Sequence, residues 1–540
     1  MTEKFLTPIQ AILLAAVVIC GQAAFKFIES SDTYFMMNLG RYILEHGIPH
    51  VDPFTIHENL HLVAQQWLSG VIFWEAYKNF GVDGVLLVDF ICGLALLIMH
   101  WRLCLFVSGG NKAVSFALTF VTALLAVPEI VPRPQIFSTI IFLSEAFLLE
   151  KFTRTQDFKF LLPLPILSVV LINLHAAVWL MSLVLCVPFL FVKSSRHAKF
   201  LSAAMLGIFV GGLINPYGVE AMTYVLRSYG VELINNNIKE MFTPSAHDIF
   251  GKGFFLMEAA LIVSLAKFKV PWRYIFLSGG LTYMAIMHAR NEILFYFVAT
   301  FPMAYAWREF QPPKFLAEGG AYLPLFFLLV FANTAMITTL LEDGLGKFSL
   351  PLEILLAAAI IVMLYNLLVL KFDGRLLHPE ILPRKNLSLF ATALIVGGIF
   401  FTTLNHVGKT NGDFAAAMKV LLNSERPENI RLYAGQGYGG LAGMLGIRYY
   451  IDSRSEVFMA ANNGRANIFA EYLNFKAGFI GYKDFFARYK FTHIFVTSNE
   501  PFIFDLLTND KNFRTVYESE RVEGTNVIRC KVFVPKEFRQ

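Results

Sequence analysis

The chain opens with IQAILLAAVVICGQAAFKFI (residues 9–28), followed at once by ESSDTY (residues 29–34). An α-helix needs about 20 residues to cross a hydrocarbon core, and this block supplies them with Gln10, Gln22 and Lys26 as its polar members. It is too long for the apolar part of a cleaved leader and carries no clear small-residue cleavage site. It therefore reads as an anchor that stays in the chain. Of the 540 residues, 56% are hydrophobic and 16% are charged, and the mean hydropathy is +0.56. Soluble domains carry roughly 25% charged residues. The deficit is uneven: residues 1–404 run in apolar blocks, whereas 405–540 have the composition of a soluble domain.

Working outward from the first block, spans are expected near 9–28, 84–104, 113–127, 135–150, 160–174, 176–192, 200–214, 254–267, 274–288, 291–307, 320–341, 352–370 and 387–404. The fold class expected is a polytopic α-helical membrane protein with about thirteen transmembrane helices and a C-terminal α/β domain. Basic residues set the orientation. With the N-terminus inside, the inner connections carry Arg102 and Lys112, then Lys151, Arg154 and Lys159, then Lys193, Arg196 and Lys199, then Lys267, Lys269 and Arg273. Arg308, Lys314, Lys371, Arg375, Arg384 and Lys385 complete the inner set, while the short outer connections hold little beyond Arg133, Arg290 and Lys347. An odd number of spans then places residues 405–540 outside the cytoplasm. The net charge of +5 reflects this sidedness and gives no reason to expect nucleic acid as a partner.

Two outer connections are long, 29–83 and 215–252. In the first, Asp32–His46 and Gln65–Phe80 have apolar residues near helical spacing and read as helices lying on the membrane surface, separated by a proline-containing turn. In the tail, strands are expected at 430–433, 447–451, 492–497, 514–517 and 526–534, alternating with helices at 413–423, 437–445, 465–476, 482–489 and 500–508. That alternation predicts a largely parallel sheet. Gly435-Gln436-Gly437-Tyr438-Gly439 follows a strand but lacks the spacing of a dinucleotide loop, and reads as a strand-to-helix turn. The five cysteines show no metal-ligand spacing and read as packing residues.

Polar residues at or near membrane depth are costly and mark sites or partnered structural pairs. On the expected outer face they are Asp32, Arg133 between two prolines, Asn173 and His175 at the end of a span, Asn215 and Tyr217 opening the second long loop, His247 and Asp248 closing it, and His288 and Arg290 in a tight turn. Each also fits a structural role: Asp32 a helix cap, Arg133 a snorkelling side chain, His175 a hydrogen-bonded packing residue, and Asn215-Pro216-Tyr217-Gly218 a turn. As a set they suit group transfer. An aspartate can take a proton from an acceptor hydroxyl or amine, and arginines match a phosphate or pyrophosphate.

The run Ser31-Asp32-Thr33-Tyr34, Gly40-Arg41-Tyr42-Ile43-Leu44-Glu45-His46-Gly47-Ile48-Pro49, Asp52-Pro53-Phe54-Thr55 and Gln66-Trp67-Leu68 resembles the first outer loop of bacterial GT-C-like membrane glycosyltransferases. The likeness continues through Arg133-Pro134-Gln135, Asn173-Leu174-His175, Asn215-Pro216-Tyr217-Gly218, Arg290-Asn291 and Ile451-Asp452-Ser453-Arg454-Ser455-Glu456. Protein O-mannosyltransferases, the aminoarabinose transferase and oligosaccharyltransferases are similar in topology more than in motif. The resemblance implies a multi-pass protein of the bacterial cytoplasmic (inner) membrane that moves a sugar from a polyprenyl-phosphate-linked donor to an extracytoplasmic glycan, lipid or protein. Asp32 would be its catalytic carboxylate, Arg133, Arg290 and His288 would bind the donor phosphate, and His175, Asn173, Tyr217, His247 and Asp248 would support them. The chain departs from that group in having Met36 and Met37 where a histidine is frequent. A second acidic residue has only candidates: Glu29, Asp52, Glu58, Glu240 and Asp248. A divalent metal cofactor is therefore left open, with no specific metal motif. Two other classes stay in play, a transporter or scramblase of lipid or lipid-linked glycan, and a non-catalytic glycan-assembly subunit with a GT-C fold.

Overall fold

The computed structural model describes residue 6 and residues 8–25, 31–191, 194–228, 231–247, 249–311, 412–523 and 526–536. The spans expected at 320–341, 352–370 and 387–404 lie outside the described residues. The helical body comprises α1 (Pro8–Phe25), α2 (Ser31–His46), α3 (Trp67–Val107), α4 (Lys112–Ala126), α5 (Pro134–Thr155), α6 (Leu164–His175), α7 (Met181–Cys186), α8 (Ser195–Gly212), α9 (Val219–Ser228), α10 (Glu232–Asn235), α11 (Ile249–Lys267), α12 (Trp272–Met287), α13 (Glu292–Leu294) and α14 (Pro302–Ala306).

By length and composition, Trp67–Val107, Lys112–Glu129 and Phe158–Val178 are long and apolar enough to cross a membrane. Helix α5 is 22 residues long. At that length it spans about 33 Å, enough to cross one too. It is less apolar because it carries Glu145, which accepts a hydrogen bond from Ser182 at 2.7 Å, and Glu150. Ile166, Leu206 and Leu256 point outward with 66%, 64% and 72% of their surface uncovered. That pattern suits lipid rather than water. The segments expected as spans at 176–192 and 291–307 are not continuous helices. The first breaks into α7 and a 3₁₀ turn at Val187-Pro188, and the second passes through a π turn (Phe295–Ala299) before Pro302. Proline ends or bends a helix because it lacks the N–H and crowds the preceding turn.

The two ends of the bundle differ in chemistry. At one end Arg154 donates to the carbonyls of Phe106 and Val107 at 2.8 and 3.0 Å, while Arg273 Nε meets buried Glu150 at 2.9 Å. The first contact caps α3, whose C-terminus favours a cation. These are basic residues of the connections read as inner. The long loops, the beginning of α5 and the tail domain gather at the other end.

The long segment Trp67–Val107 is two helices in one, for Gly81 has φ 63° and ψ −149°. Those values are open mainly to glycine, and they bend the chain between the loop helix and the span. Helix α2 does not lie open on the membrane surface. Thr33, Phe35, Met36, Met37, Asn38, Leu39 and Gly40 are buried, because α2 is held between α3 and the tail. The contact with α3 is main chain to main chain: a Cβ on Gly40 would stand 2.1 Å from the carbonyl oxygen of Gly70.

The tail holds α15 (Gly412–Leu422), β1 (Arg431–Tyr433), α16 (Gly439–Met444), β2 (Arg448–Tyr449), α17 (Ala460–Asn463), α18 (Ile468–Lys476), α19 (Tyr482–Tyr489), β3 (His493–Thr497), α20 (Pro501–Asn509), β4 (Phe513–Glu523) and β5 (Asn526–Pro535). Its sheet has the order β2-β1-β3-β5-β4. The sheet is mixed rather than largely parallel. β1 runs parallel to β2 and β3, but β5 is antiparallel to β3 and forms a long hairpin with β4. That hairpin follows from the short, polar connection between two alternating runs.

The glycine-rich turn after β1 leads into α16, which seats on α2. A Cβ on Gly440 would lie 2.2 Å from the carbonyl oxygen of Ser31, and one on Gly443 would lie 2.6 Å from Asn38 Nδ2. Arg41 closes this contact by donating to the carbonyls of Met444 and Gly443 at 3.0 and 3.1 Å. Beyond α2, the loop runs along the edge strand β2: Ile56 N–H donates to the Tyr449 carbonyl at 2.9 Å, and His57 Nε2 donates to the Tyr450 carbonyl at 2.8 Å. The open edge of the sheet is thereby covered by the chain's own loop.

Beneath that edge lies a buried ion cluster. Arg454 Nη1 donates to Asp52 Oδ1 at 2.7 Å and Nη2 to Asp452 Oδ2 at 2.7 Å, and its guanidinium sits 4.2 Å from the centre of the Phe35 ring. Asp52 Oδ2 also accepts from the Thr55 N–H and hydroxyl at 3.0 and 2.7 Å. Burial alone would raise the pKa of Asp52, but Arg454 and Thr55 outweigh it and hold the pKa below the usual carboxylate range.

The close approach of α16 to α2 can be tested by filling it. Gly440→Val should unseat α16 and expose the tail to limited proteolysis. Gly279→Ala, where an added Cβ meets nothing within 4 Å, should leave the digestion pattern unchanged. Asp52→Asn should destabilise the protein by about 3–5 kcal/mol, because it leaves Arg454 under-compensated in a buried site. The folded pKa of Asp52 lies below its unfolded value, so its contribution is fully present above about pH 4 and lost as pH falls through the folded pKa. Thermal unfolding of native and D52N protein should therefore converge on acidification below about pH 4.

Candidate functional site

Asp32 is the second residue of α2, where the helix N-terminus favours an anion. Thr33 Oγ1 donates to the Pro132 carbonyl at 3.3 Å, tying this turn to the segment that carries Arg133. Arg133 is the residue before α5, extended at φ −129° and ψ 162°, as its following proline requires. Its side chain consequently leaves the helix end and turns into the cleft. Arg133 Nη2 lies 3.0 Å from Asp32 Oδ2, and its Nη1 lies 2.6 Å from Glu240 Oε1. One guanidinium thus bridges a carboxylate of the first long loop and one of the second. Burial works against charge on Arg133, but the two carboxylates outweigh it and push the pKa up. Glu240 shows the reciprocal effect: burial would raise its pKa, and Arg133, with Arg290 further off, lowers it.

Arg290 enters the same cleft from the 3₁₀ turn Ala289–Asn291, its Nη1 3.8 Å from Met241 Sδ. His288 does not line the cleft. Its Nδ1 donates to the Met241 carbonyl at 2.7 Å, and Ala289 N–H donates to the Phe242 carbonyl at 2.9 Å, which together hold the turn bearing Glu240. His175 lines the cleft with Nδ1 3.1 Å from Ser138 Oγ.

Asn173 and Tyr217 act on the frame. Asn173 accepts from Trp67 Nε1 at 2.9 Å and donates to the carbonyls of Val169 and Ile214 at 2.8 and 2.9 Å. Tyr217 donates to the Pro49 carbonyl at 2.8 Å, across the two long loops. His247 is exposed, its N–H bonded to Ser245 Oγ at 3.2 Å, and it does not reach the cleft. Asp248 and Glu29 lie outside the described residues. Asp52 belongs to the Arg454 cluster, and Glu58 is exposed.

The cleft has a cavity volume of about 140 Å³. Its far wall comes from the tail: Ser453, Arg454 and Glu456. Gln65, just before α3, donates from Nε2 to Glu456 Oε1 at 3.0 Å. Burial raises the pKa of Glu456, and Arg290 and Arg454 offset this only in part. Three arginines (Arg133, Arg290 and Arg454) and three carboxyl groups (Asp32, Glu240 and Glu456) line the cleft together, with the amides of Gln65 and Gln135 and the Ser453 hydroxyl among them. Among the described residues no group of three His, Cys, Asp and Glu side chains stands ready as a metal site.

Spacing alone does not single out Glu240 among five acidic candidates, nor give Gln65, Ser453 and Glu456 any part in the cleft. The only signal for the last two is their place in the run 451–456, at the far end of the chain from Asp32.

A polytopic helical body with a long first loop, a cleft at its head and an α/β tail over that cleft is the layout of the GT-C glycosyltransferase fold. The chain has that fold over almost its whole length. It is similar to the crystal structure of ArnT from Cupriavidus metallidurans bound to undecaprenyl phosphate, with TM-score 0.50 and 12% identity over 95% of this chain and 97% of that one. It is also similar to ArnT from the same organism in the apo state, with TM-score 0.51 and 13% identity over 94% and 95%. No family profile and no curated protein sequence matches the chain.

The Glu240 side chain is 48% exposed, so its bond to Arg133 is screened by water. Glu240→Gln should change stability by less than about 1 kcal/mol, read as a small shift in melting temperature.

Proposed function

We propose that the protein is an integral membrane glycosyltransferase that moves a sugar from a polyprenyl-phosphate-linked donor to an acceptor outside the cytoplasm. The observation that carries this reading is the pairing of Asp32 with Arg133 at 3.0 Å in a cleft that Arg290 also lines. In the proposed step, Asp32 takes the proton of an acceptor hydroxyl or amine as the acceptor atom bonds to C1 of the sugar. The C1–O bond to phosphate breaks, and the leaving phosphate takes up the bonding electrons. Arg133 has five N–H donors, so it can orient Asp32 and still present donors to that phosphate, and Arg290 adds a second fixed positive charge. His288 and His175 act by holding neighbouring groups in place.

The fold shared with a structure that binds undecaprenyl phosphate supports a polyprenyl lipid as the carrier. The distribution of Lys and Arg supports an extracytoplasmic cleft in a bacterial cytoplasmic (inner) membrane protein, with the N-terminus inside. The acceptor, whether glycan, lipid or protein, would enter beneath the tail domain.

Asp32→Asn should lower transfer of a radiolabelled sugar from polyprenyl phosphate by at least about 100-fold while expression and melting temperature stay close to native. Full transfer by D32N would overturn this mechanism.

A further inference from the structure

Three buried side-chain oxygens without a hydrogen-bond partner among the described residues belong to residues that line this one cleft: Gln65 Oε1, Gln135 Oε1 and Ser453 Oγ. They come from three separate parts of the chain: the first long loop, the first turn of α5 and the tail. Buried polar atoms in folded proteins are almost always satisfied, so a convergence of unsatisfied oxygens in a cavity points to what the cavity holds.

The orientation of Gln65 is set by its surroundings. Its Nε2 donates to Glu456 Oε1 at 3.0 Å, which leaves Oε1 as the end without a partner. Gln135 uses its main-chain carbonyl for Ser138 Oγ at 3.1 Å and Thr139 Oγ1 at 2.8 Å, so neither hydroxyl is turned toward its amide oxygen. Ser453 has its carbonyl engaged by Ser455 N–H at 2.9 Å, while its hydroxyl oxygen meets no partner among the described residues.

Two amide oxygens can only accept, and the hydroxyl accepts as readily as it donates. A ligand that satisfies them must bring several O–H or N–H hydrogens. Carboxylate groups do the opposite, presenting oxygens to oxygens.

We propose that Gln65, Gln135 and Ser453 bind the sugar ring of the donor through its hydroxyl or amino hydrogens, so that the cleft takes neutral or amino sugars and rejects uronic acids. This rests on the polyprenyl-phosphate reading above, in which Arg133 and Arg290 are occupied by the phosphate and are not available to a sugar carboxylate.

The test uses the full-length protein in detergent and four probes: undecaprenyl phosphate alone and the same lipid carrying glucose, glucosamine or glucuronate. Glucosyl and glucosaminyl lipids should bind at least about tenfold more tightly than the glucuronyl lipid, the worth of one or two such hydrogen bonds. Gln135→Leu and, separately, Ser453→Ala should each lower affinity for the glucosyl and glucosaminyl lipids and leave affinity for the bare lipid phosphate unchanged. Glucuronyl lipid binding as tightly as the glucosyl form would overturn the proposal, as would sugar-loaded lipids binding no better than bare lipid. Loss of bare-lipid binding in both variants would also overturn it, because the oxygens would then act on the frame. If the native protein binds none of the four probes, the polyprenyl reading itself fails.

Discussion

Arg454 is a guanidinium taken out of water, and a charge so placed is tolerable only when its partners are in position. Asp452 comes from the same turn and is always at hand. Asp52 comes from the first long loop, 402 residues away in sequence, and arrives only when loop and tail are docked. The cluster therefore makes the docked arrangement the one in which charge is balanced. Much else depends on it. The loop lies along β2, α16 seats on α2, and Asp32 at the head of α2 is brought opposite Ser453 and Glu456. The cation over the Phe35 ring adds a contact from the next turn of the helix that carries Asp32.

The parts of the fold legible in sequence are those with a local physical signature. Apolar blocks mark the helices, glycine and proline mark the turns, and strand runs in the tail are located to within a few residues except at β4. Asp32 and Arg133 are legible because an acidic residue after an anchor and a basic residue between prolines are both unusual placements. What is not legible depends on pairing across sequence distance. Nothing near Arg454 announces Asp52, and nothing near Arg133 distinguishes Glu240 from four other acids. The direction of β5 runs against the sequence reading because a parallel sheet is the default for alternating elements, whereas the hairpin with β4 reverses it. The breaks at Val187-Pro188 and in the Phe295–Ala299 turn are hidden because hydropathy averages over a window and does not register local helix geometry.

Under the proposed function, the cleft would have to meet two tasks that polyprenyl-linked sugars impose. The phosphate is the same whatever the sugar, and it suits rigid, permanently charged groups on element ends: Arg133 at the head of α5 and Arg290 in a 3₁₀ turn. The sugar varies, and the groups proposed to meet it, Gln65, Gln135 and Ser453, come from the first long loop, α5 and the tail.

Where the elements beneath this cleft cross, main chain touches main chain: Gly40 on Gly70, and Gly440 on the carbonyl of Ser31. Contacts of that kind set distances without reference to side-chain size. A scaffold anchored in this way can exchange the side chains that project from it and keep its dimensions, much as a vice holds its gap whatever faces are fitted to the jaws. Only 12% of residues are identical to ArnT while the fold is retained, and specificity can then be rewritten on the lining with little disturbance to the frame beneath.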